Sequence, residues 1–264
     1  MLTNWQKNRL ATLHSGKTEY GSGRKDVTLL AYHFWDAPRQ DTMWPGLECA
    51  IRETWYHCGF LKTIVVANSV SPSMEKFAEV FSGVDFQIEP SLVPKDIFSM
   101  SADCNGRLAS RFDTEYVLII QNDGFPLRNG LDGFVGKYDF IGAPYVRPRF
   151  LPRLAASMLG CWVMNGGFSL RSHAICDFAA HCWNRKYHRL GDCKAASEDI
   201  FYTKTLPLRE PSFRRRFRLP TTEEALFFSW DALVPIPMPE ILPFGFHRAE
   251  SFERLERHTE KWTL

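Results

Sequence analysis

Four short stretches carry the residue types able to do chemistry: Gln121-Asn122-Asp123-Gly124, Asn165-Gly166-Gly167-Phe168-Ser169-Leu170-Arg171, Glu198-Asp199 and Phe244-Gly245-Phe246-His247. In the first, a carboxylate following an apolar run can hold a hard divalent cation through oxygen. Such a cation neutralises a diphosphate. Gln121 and Asn122 can add ligands or hydrogen bonds to a ribose. Asn-Asp-Gly is equally good β-turn chemistry, so residue type alone leaves both readings open. In the second stretch, paired glycines let the backbone pass close to a ligand and present N–H groups to it. Asn165 can bond to sugar hydroxyls. A hairpin or bulge is the commoner use of such glycines.

Glu198-Asp199 opens a helical pattern, where adjacent carboxylates favour the positive end of the helix dipole. The same pair can act as a general base, one carboxylate taking a proton and the other orienting it. His247, after a glycine turn, can complete a metal shell as a neutral imidazole. It can equally be plain polar surface. Arg214-Arg215-Arg216 with Arg218 reads as a solvated basic loop, or as a contact for an acidic acceptor or anionic lipid headgroups.

Two other groups of residues mislead. Ser15-Gly16-Lys17-Thr18 ends like a phosphate-binding loop, but Ala11 stands where that loop needs glycine, and no apolar strand precedes it. Cys161, His173, Cys176, His181, Cys182, His188 and Cys193 lack the paired short spacings of a zinc site. They read as structural thiols and surface imidazoles.

These stretches need elements to position them. Val27–Tyr32, Leu61–Ala67, Val84–Ile88 and Tyr116–Ile120 read as strands, the last ending at Gln121. Between them, Gly46 to Gly59, Ser71-Pro72 to Phe81 and Ala102 to Arg111 read as helices. Alternating strands and helices predict an α/β sandwich on a mainly parallel sheet. Ligands of such sheets sit at the carboxyl ends of strands, where Gln121–Gly124 falls. Further on, Tyr138–Pro144 reads as a short strand and Met164–Arg171 as a glycine turn with an apolar segment. Ser172 to Tyr187 reads as a helix capped by Ser172. Pro207 to Pro220 reads as a basic loop.

With 264 residues the chain can bury a full core without staples. The net charge of +2 gives no general attraction to nucleic acid or membrane. No run approaches the length of a membrane span, and the first residues lack the apolar core of a signal peptide. The expectation is a cytoplasmic protein. Seven scattered cysteines read as reduced thiols. The 21 Phe and 8 Trp suit either a thick core or a sugar-stacking cleft.

Taken in order, the stretches resemble GT-A glycosyltransferases. More narrowly, they resemble a family of bacterial and fungal glycosyltransferase-like proteins known as a domain of unknown function. The resemblance runs from Val27 to His247, and Asn165–Arg171 is its most specific part. Glu198-Asp199-Ile200-Phe201 is also similar to the Glu-Asp-Val motif of inverting β-galactosyl- and β-N-acetylglucosaminyltransferases.

The resemblance implies a GT-A-like, Rossmann-like α/β/α sandwich with a mixed, mainly parallel sheet. The implied layout is an N-terminal arm over residues 1–25, one domain over 26–248 and a helical tail over 249–264. Within the domain, a nucleotide-sugar half spans 26–125 and an acceptor half 126–248. Gln121, Asn122, Asp123, His33 and Arg107 are then the donor-nucleotide candidates. Asn165, Gly166 and Gly167 would line the sugar and acceptor cleft. Asp199, or in second place Glu198, would be the catalytic base. Asp123 and His247 would hold Mn²⁺ or Mg²⁺. Gln121 stands where a D-x-D motif has its first acid, which weakens that metal site.

The implied reaction is transfer of a sugar from a UDP- or GDP-sugar to a hydroxyl of a glycan or lipid-linked acceptor, with inversion. Nucleic acid is not an expected partner. Arg214, Arg215, Arg216 and Arg218 could touch the inner face of a membrane. The rival expectation is a non-catalytic carbohydrate- or nucleotide-binding protein on the same scaffold, which the missing acid favours. A nucleotidyltransferase would need a basic glycine loop after the first strand, where this chain has His33-Phe34-Trp35-Asp36-Ala37-Pro38.

Overall fold

A computed structural model of the chain describes residues 23–59, 62–81, 83–146, 162–190, 196–231, 240–248, 250–251 and 254. Six strands form one sheet: β1 (Val27–His33), β2 (Thr63–Ala67), β3 (Val84–Ile88), β4 (Tyr116–Ile120), β5 (Phe140–Val146) and β6 (Trp162–Ser172). Their order is β3-β2-β1-β4-β6-β5. Strands β1 to β4 are parallel, and β6 runs against both β4 and β5. This is the mixed, mainly parallel sheet that was expected. The chain moves outward from β1 to β3 and then returns to the other side of β1 as β4. The crevice for a ligand therefore opens at the carboxyl ends of β1 and β4.

Both faces of β1 are buried, as its unbroken apolar run requires. Leu29 and Ala31 join one core, with Trp44, Ile51 and Trp55 of α1 (Ala37–Cys58) and Phe77 of α2 (Pro72–Val80). Leu30 and Tyr32 join the other, with Met100 and Cys104 of α3 (Ile97–Arg107) and Ile175 and Trp183 of α4 (His173–Arg185). The result is an α/β/α sandwich. Most of the aromatics are core residues, such as Phe168, which stacks on Phe228 and Phe244. A small parallel pair, β7 (Ser229–Asp231) and β8 (Gly245–His247), lies beside the sheet.

Several boundaries differ from the sequence reading. Helix α1 begins at Ala37 rather than Gly46. Pro38 sits in its first turn, where proline's missing N–H costs nothing, and Pro45 is accommodated inside it. Gly59 ends it in the left-handed region at φ 63, as expected. Helix α3 starts at Ile97 because Asp96 accepts from the Phe98 and Ser99 amides, both at 3.0 Å. Met164–Arg171 is not a turn but the middle of β6. The segment from Pro207 to Pro220 is not one loop. It includes the helix Phe213–Arg216, whose flanking Phe213 and Phe217 enter the core.

Residues 1–22 of the expected arm, with the Ser15–Thr18 decoy, lie outside the described residues, as do Cys161, Cys193 and most of the tail. Arg24 is no loose end: its N–H bonds to Gly59 O at 2.7 Å and its side chain pairs with Asp26 and Asp132. Cys49, Cys58, Cys104, Cys176 and Cys182 are thiols outside any disulfide.

The ring of His33 is committed to the core rather than to a nucleotide. Its Nε2 meets Gln40 O at 2.8 Å, and its edge packs on Trp44. The ring thereby ties β1 to α1. Burial lowers its pKa from 6.5 to about 4. The neutral ring therefore stabilises the fold above pH 6.5, and that contribution is lost as pH falls toward 4, by about 3 kcal/mol. Urea melts should show wild type losing more stability over this window than His33→Asn. Parallel losses in the two proteins would contradict this role.

Candidate active site

The site forms where β4 ends against β6. Ile119 pairs with Ser169, and just beyond the paired stretch Gln121 meets Gly167. A Cβ on Gly167 would lie 2.4 Å from Gln121 Oε1 and 2.6 Å from His247 Nε2. Only glycine leaves these two side chains room to converge. Gly124 admits the same imidazole, since a Cβ there would lie 3.0 Å from His247 Cδ2. Gln121 and Gly124 exchange backbone hydrogen bonds of 3.0 and 3.1 Å, so the segment is a turn. Asn122 and Asp123 occupy its tip, both half-buried. The Asp123 carbonyl accepts the Arg248 N–H at 2.6 Å, joining the turn to the end of β8.

The glycine pair sits in a bulge. Gly142 lies opposite Ser169, but Pro144 lies opposite Met164. Thus β6 advances five residues (169 to 164) while β5 advances two (142 to 144), leaving three extra residues on β6. The bulge is held by polar contacts. Asn165 Oδ1 accepts the Gly167 N–H at 2.6 Å. Gly166 O accepts from Ser169 Oγ at 2.8 Å and from Arg171 Nη2 at 3.2 Å. Gly142 has no side chain to block Asn165 O, which would sit 2.1 Å from a Cβ there.

Arg171 is fully buried beneath this bulge. Its guanidinium lies over the rings of Phe140 (4.9 Å) and Tyr202 (4.7 Å). It also donates to Cys104 Sγ at 2.9 Å. Burial opposes its charge, and Glu198 is among the groups that offset this. The others are Cys104, Tyr202 and Cys176, and burial pushes all three up, the two thiols to about 12.

The adjacent carboxylates of the short helix Glu198–Ile200 face different surroundings. Glu198 Oε2 accepts from Ser101 Oγ of α3 at 2.8 Å, and its Oε1 lies under Gly166, 2.5 Å from where a Cβ would be. Asp199 Oδ1 accepts the Ile200 N–H at 2.7 Å, and Oδ2 accepts from Tyr145 Oη of β5. Burial raises the Asp199 pKa from 3.8 to about 6, against the Ile200 N–H and the charges of His247 and Arg248. A carboxylate poised there can take a proton near neutral pH. Glu198 is an anchor of the bulge; Asp199 is the titrating group.

His247 is held from behind by Asp231, a wholly buried carboxylate whose Oδ2 is 3.3 Å from Nδ1. The other ring nitrogen, Nε2, faces Gln121 Oε1 at 3.3 Å. Each ring nitrogen thus has one partner, the Asp231 carboxylate at Nδ1 and the Gln121 amide at Nε2. A divalent cation at Nε2 would replace the amide contact, with Asp231 in the supporting role common behind metal-bound histidines. Among the described residues no group of three or more His, Cys, Asp and Glu could hold a metal. Among the described residues, Asp123, His247 and the Gln121 amide would hold a cation here, with water or phosphate completing its shell.

The fold does not bring every candidate together. Arg107 is exposed and pairs with Glu89 beyond β3; the face of α3 that bears Ser101 points to the site instead. Arg214, Arg215 and Arg216 lie on an exposed turn of helix, with Arg216 over Phe178 and Phe217. The Arg218 N–H bonds to Asp139 at the amino edge of the sheet, opposite Gln121. Tyr145, Ser101, Asp231 and Arg248 were not anticipated. Tyr145 had a weak signal, following Gly142-Ala143-Pro144 in a strand. Ser229-Trp230-Asp231 had none.

The chain is a mainly parallel α/β/α sandwich with a polar cluster at the reversal of strand order. Residues 95–247 match the model of a family described as "Protein of unknown function (DUF5672)", and the chain belongs to that family. No curated protein matches it. Among solved structures it is similar to core-mannan synthase A from Aspergillus fumigatus in its Mn/GDP form, at 8% identity and TM-score 0.44, over 72% of this chain and 70% of that one. It is similar to the mannosyltransferase Ktr4p from S. cerevisiae in complex with GDP, at 10% identity and TM-score 0.43, over 70% and 68%. A third is the mannosyltransferase PcManGT from Pyrobaculum calidifontis in complex with GDP-Man and Mn²⁺, at 13% identity and TM-score 0.40, where 75% of this chain spans 57% of that one.

The Tyr145 hydroxyl favours the ionised form of Asp199 by donating to it. Tyr145→Phe should move the Asp199 midpoint above about 6 in a ¹³C carboxyl NMR titration. An unchanged or lowered midpoint would contradict the contact.

Proposed function

We propose that this chain is a glycosyltransferase that moves a sugar from a nucleotide-sugar donor to an acceptor hydroxyl. The observation that carries the reading is the placing of one buried carboxylate, Asp199, within electrostatic reach of His247 and Arg248, which bond to the turn at the carboxyl end of β4. In this reading the donor diphosphate lies against Gln121, Asn122 and Asp123. The bulge at Asn165, Gly166 and Gly167 receives the sugar, where bare Cα positions allow close approach and Asn165 lies within reach of hydroxyls. Asp199 takes the proton of the attacking hydroxyl, aimed by Tyr145 on one oxygen and the Ile200 amide on the other. The new bond forms at the anomeric carbon as the bond to the diphosphate breaks.

A single displacement of this kind inverts the anomeric centre. Mn²⁺ or Mg²⁺ at Asp123 and His247 would supply counter-charge for the leaving diphosphate. The donor is a UDP- or GDP-sugar, and the acceptor a glycan or lipid-linked hydroxyl. No helix among the described residues is long and apolar enough to cross a membrane. A membrane contact through Arg214, Arg215 and Arg216 would place the lipid away from Asp199, which favours a free glycan end as acceptor. The rival reading, a binding protein without transfer, draws on Gln121 in an acid's place. The setting of Asp199 favours transfer, since perturbed carboxylates cluster at catalytic sites and Tyr145 and the Ile200 amide fix its orientation.

The test starts from the UDP- or GDP-sugar that most raises thermal stability. Release of its nucleoside diphosphate in the presence of an acceptor should rise as pH passes through about 6 and then level. Asp199→Asn should lose about 10²- to 10⁴-fold in this rate and keep nucleoside diphosphate affinity. Release at the wild-type rate by the variant would remove Asp199 as the base.

A further inference from the structure

Arg248 has a backbone conformation that a side chain rarely takes. It sits at φ 81, one of two non-glycine residues with positive φ among those described. Such a conformation carries strain and persists only where neighbours enforce it. Here the enforcement is double. The Arg248 N–H donates to Asp123 O at 2.6 Å. Its Nε donates to the Oδ2 of Asp231 at 3.1 Å, while its side chain remains 38% exposed over a carboxylate that is wholly buried. Binding through Nε fixes the plane of the guanidinium and leaves its end edge, formed by the two terminal nitrogens, free of that bond. That planar fork is suited to a phosphate.

The surroundings need a positive charge. The turn and its neighbours bring three carboxylates, Asp123, Asp199 and Asp231. Without a cation this group repels a diphosphate. Arg248 is the permanent cation among these residues, and its charge reaches Asp199. We propose that Arg248 binds the donor diphosphate through the terminal nitrogens of its guanidinium. The strained backbone holds that fork beside the Gln121–Asp123 turn. The assignment rests on the nucleotide-sugar reading above.

Calorimetric titration of the full chain with UDP and GDP, and separately with uridine and guanosine, separates a phosphate contact from a structural tie. Arg248→Ala should weaken the preferred nucleoside diphosphate by about tenfold or more, the size of a lost charged hydrogen bond. It should leave the matching nucleoside within about twofold by the same scale. Arg248→Lys, which keeps the charge but not the fork, should fall between. Equal weakening of diphosphate and nucleoside, or no weakening of either, would overturn the assignment while leaving the donor reading in place. Wild type that binds neither diphosphate would overturn the donor reading itself.

Discussion

Gln121 Oε1 and His247 Nε2 both come within 2.6 Å of the place where a Gly167 Cβ would be. The rest of the site depends on that gap. It exists because β6 carries three extra residues opposite Gly142 and Pro144, and because the bulge has internal partners for its polar groups. A regular strand would have placed a side chain between the end of β4 and β8. The fully buried Arg171 is part of the same constraint, since it holds Gly166 O from below while Glu198 balances its charge. An unpaired buried guanidinium would be costly. Glu198 thus serves the site by supporting its floor.

This division separates the two adjacent carboxylates. Similar in sequence, they differ in what surrounds them: a serine and a buried cation for Glu198, a tyrosine hydroxyl and a backbone amide for the buried Asp199. The second setting makes a proton acceptor usable near neutral pH. On the other side of the gap, Asp231 has a comparable supporting role. It fixes the ring of His247 and the guanidinium of Arg248, so one buried acid orients two site residues.

Much of this was legible in the sequence where local physics decides the outcome. The runs at Val84–Ile88 and Tyr116–Ile120 are strands with those bounds, because continuous or alternating apolar residues between breakers leave few choices. Ser172 caps its helix as its residue type suggests. Gln121–Gly124 was ambiguous between turn and site because it is a turn that also ends at the crevice. What was not legible depended on register and distance in sequence. His33 and Arg107 are plausible by type, but one is drawn into the core by Gln40 and the other turned toward Glu89. Tyr145 and Asp231 reach the site across 54 and 16 residues of sequence to Asp199 and His247. The glycine pair looked like a hairpin because a long strand with a bulge has the same local composition.

The central claim is that a nucleoside diphosphate occupies the gap bounded by Gln121, Gly167 and His247, with Asp199 facing the open side. A crystal structure with the tighter-binding of UDP and GDP tests it most directly. The account predicts the diphosphate against the Gln121–Asp123 turn, and the Asp199 carboxylate facing the space beyond the terminal phosphate. A nucleotide bound elsewhere, with the turn unoccupied and Asp199 enclosed by protein, would contradict it.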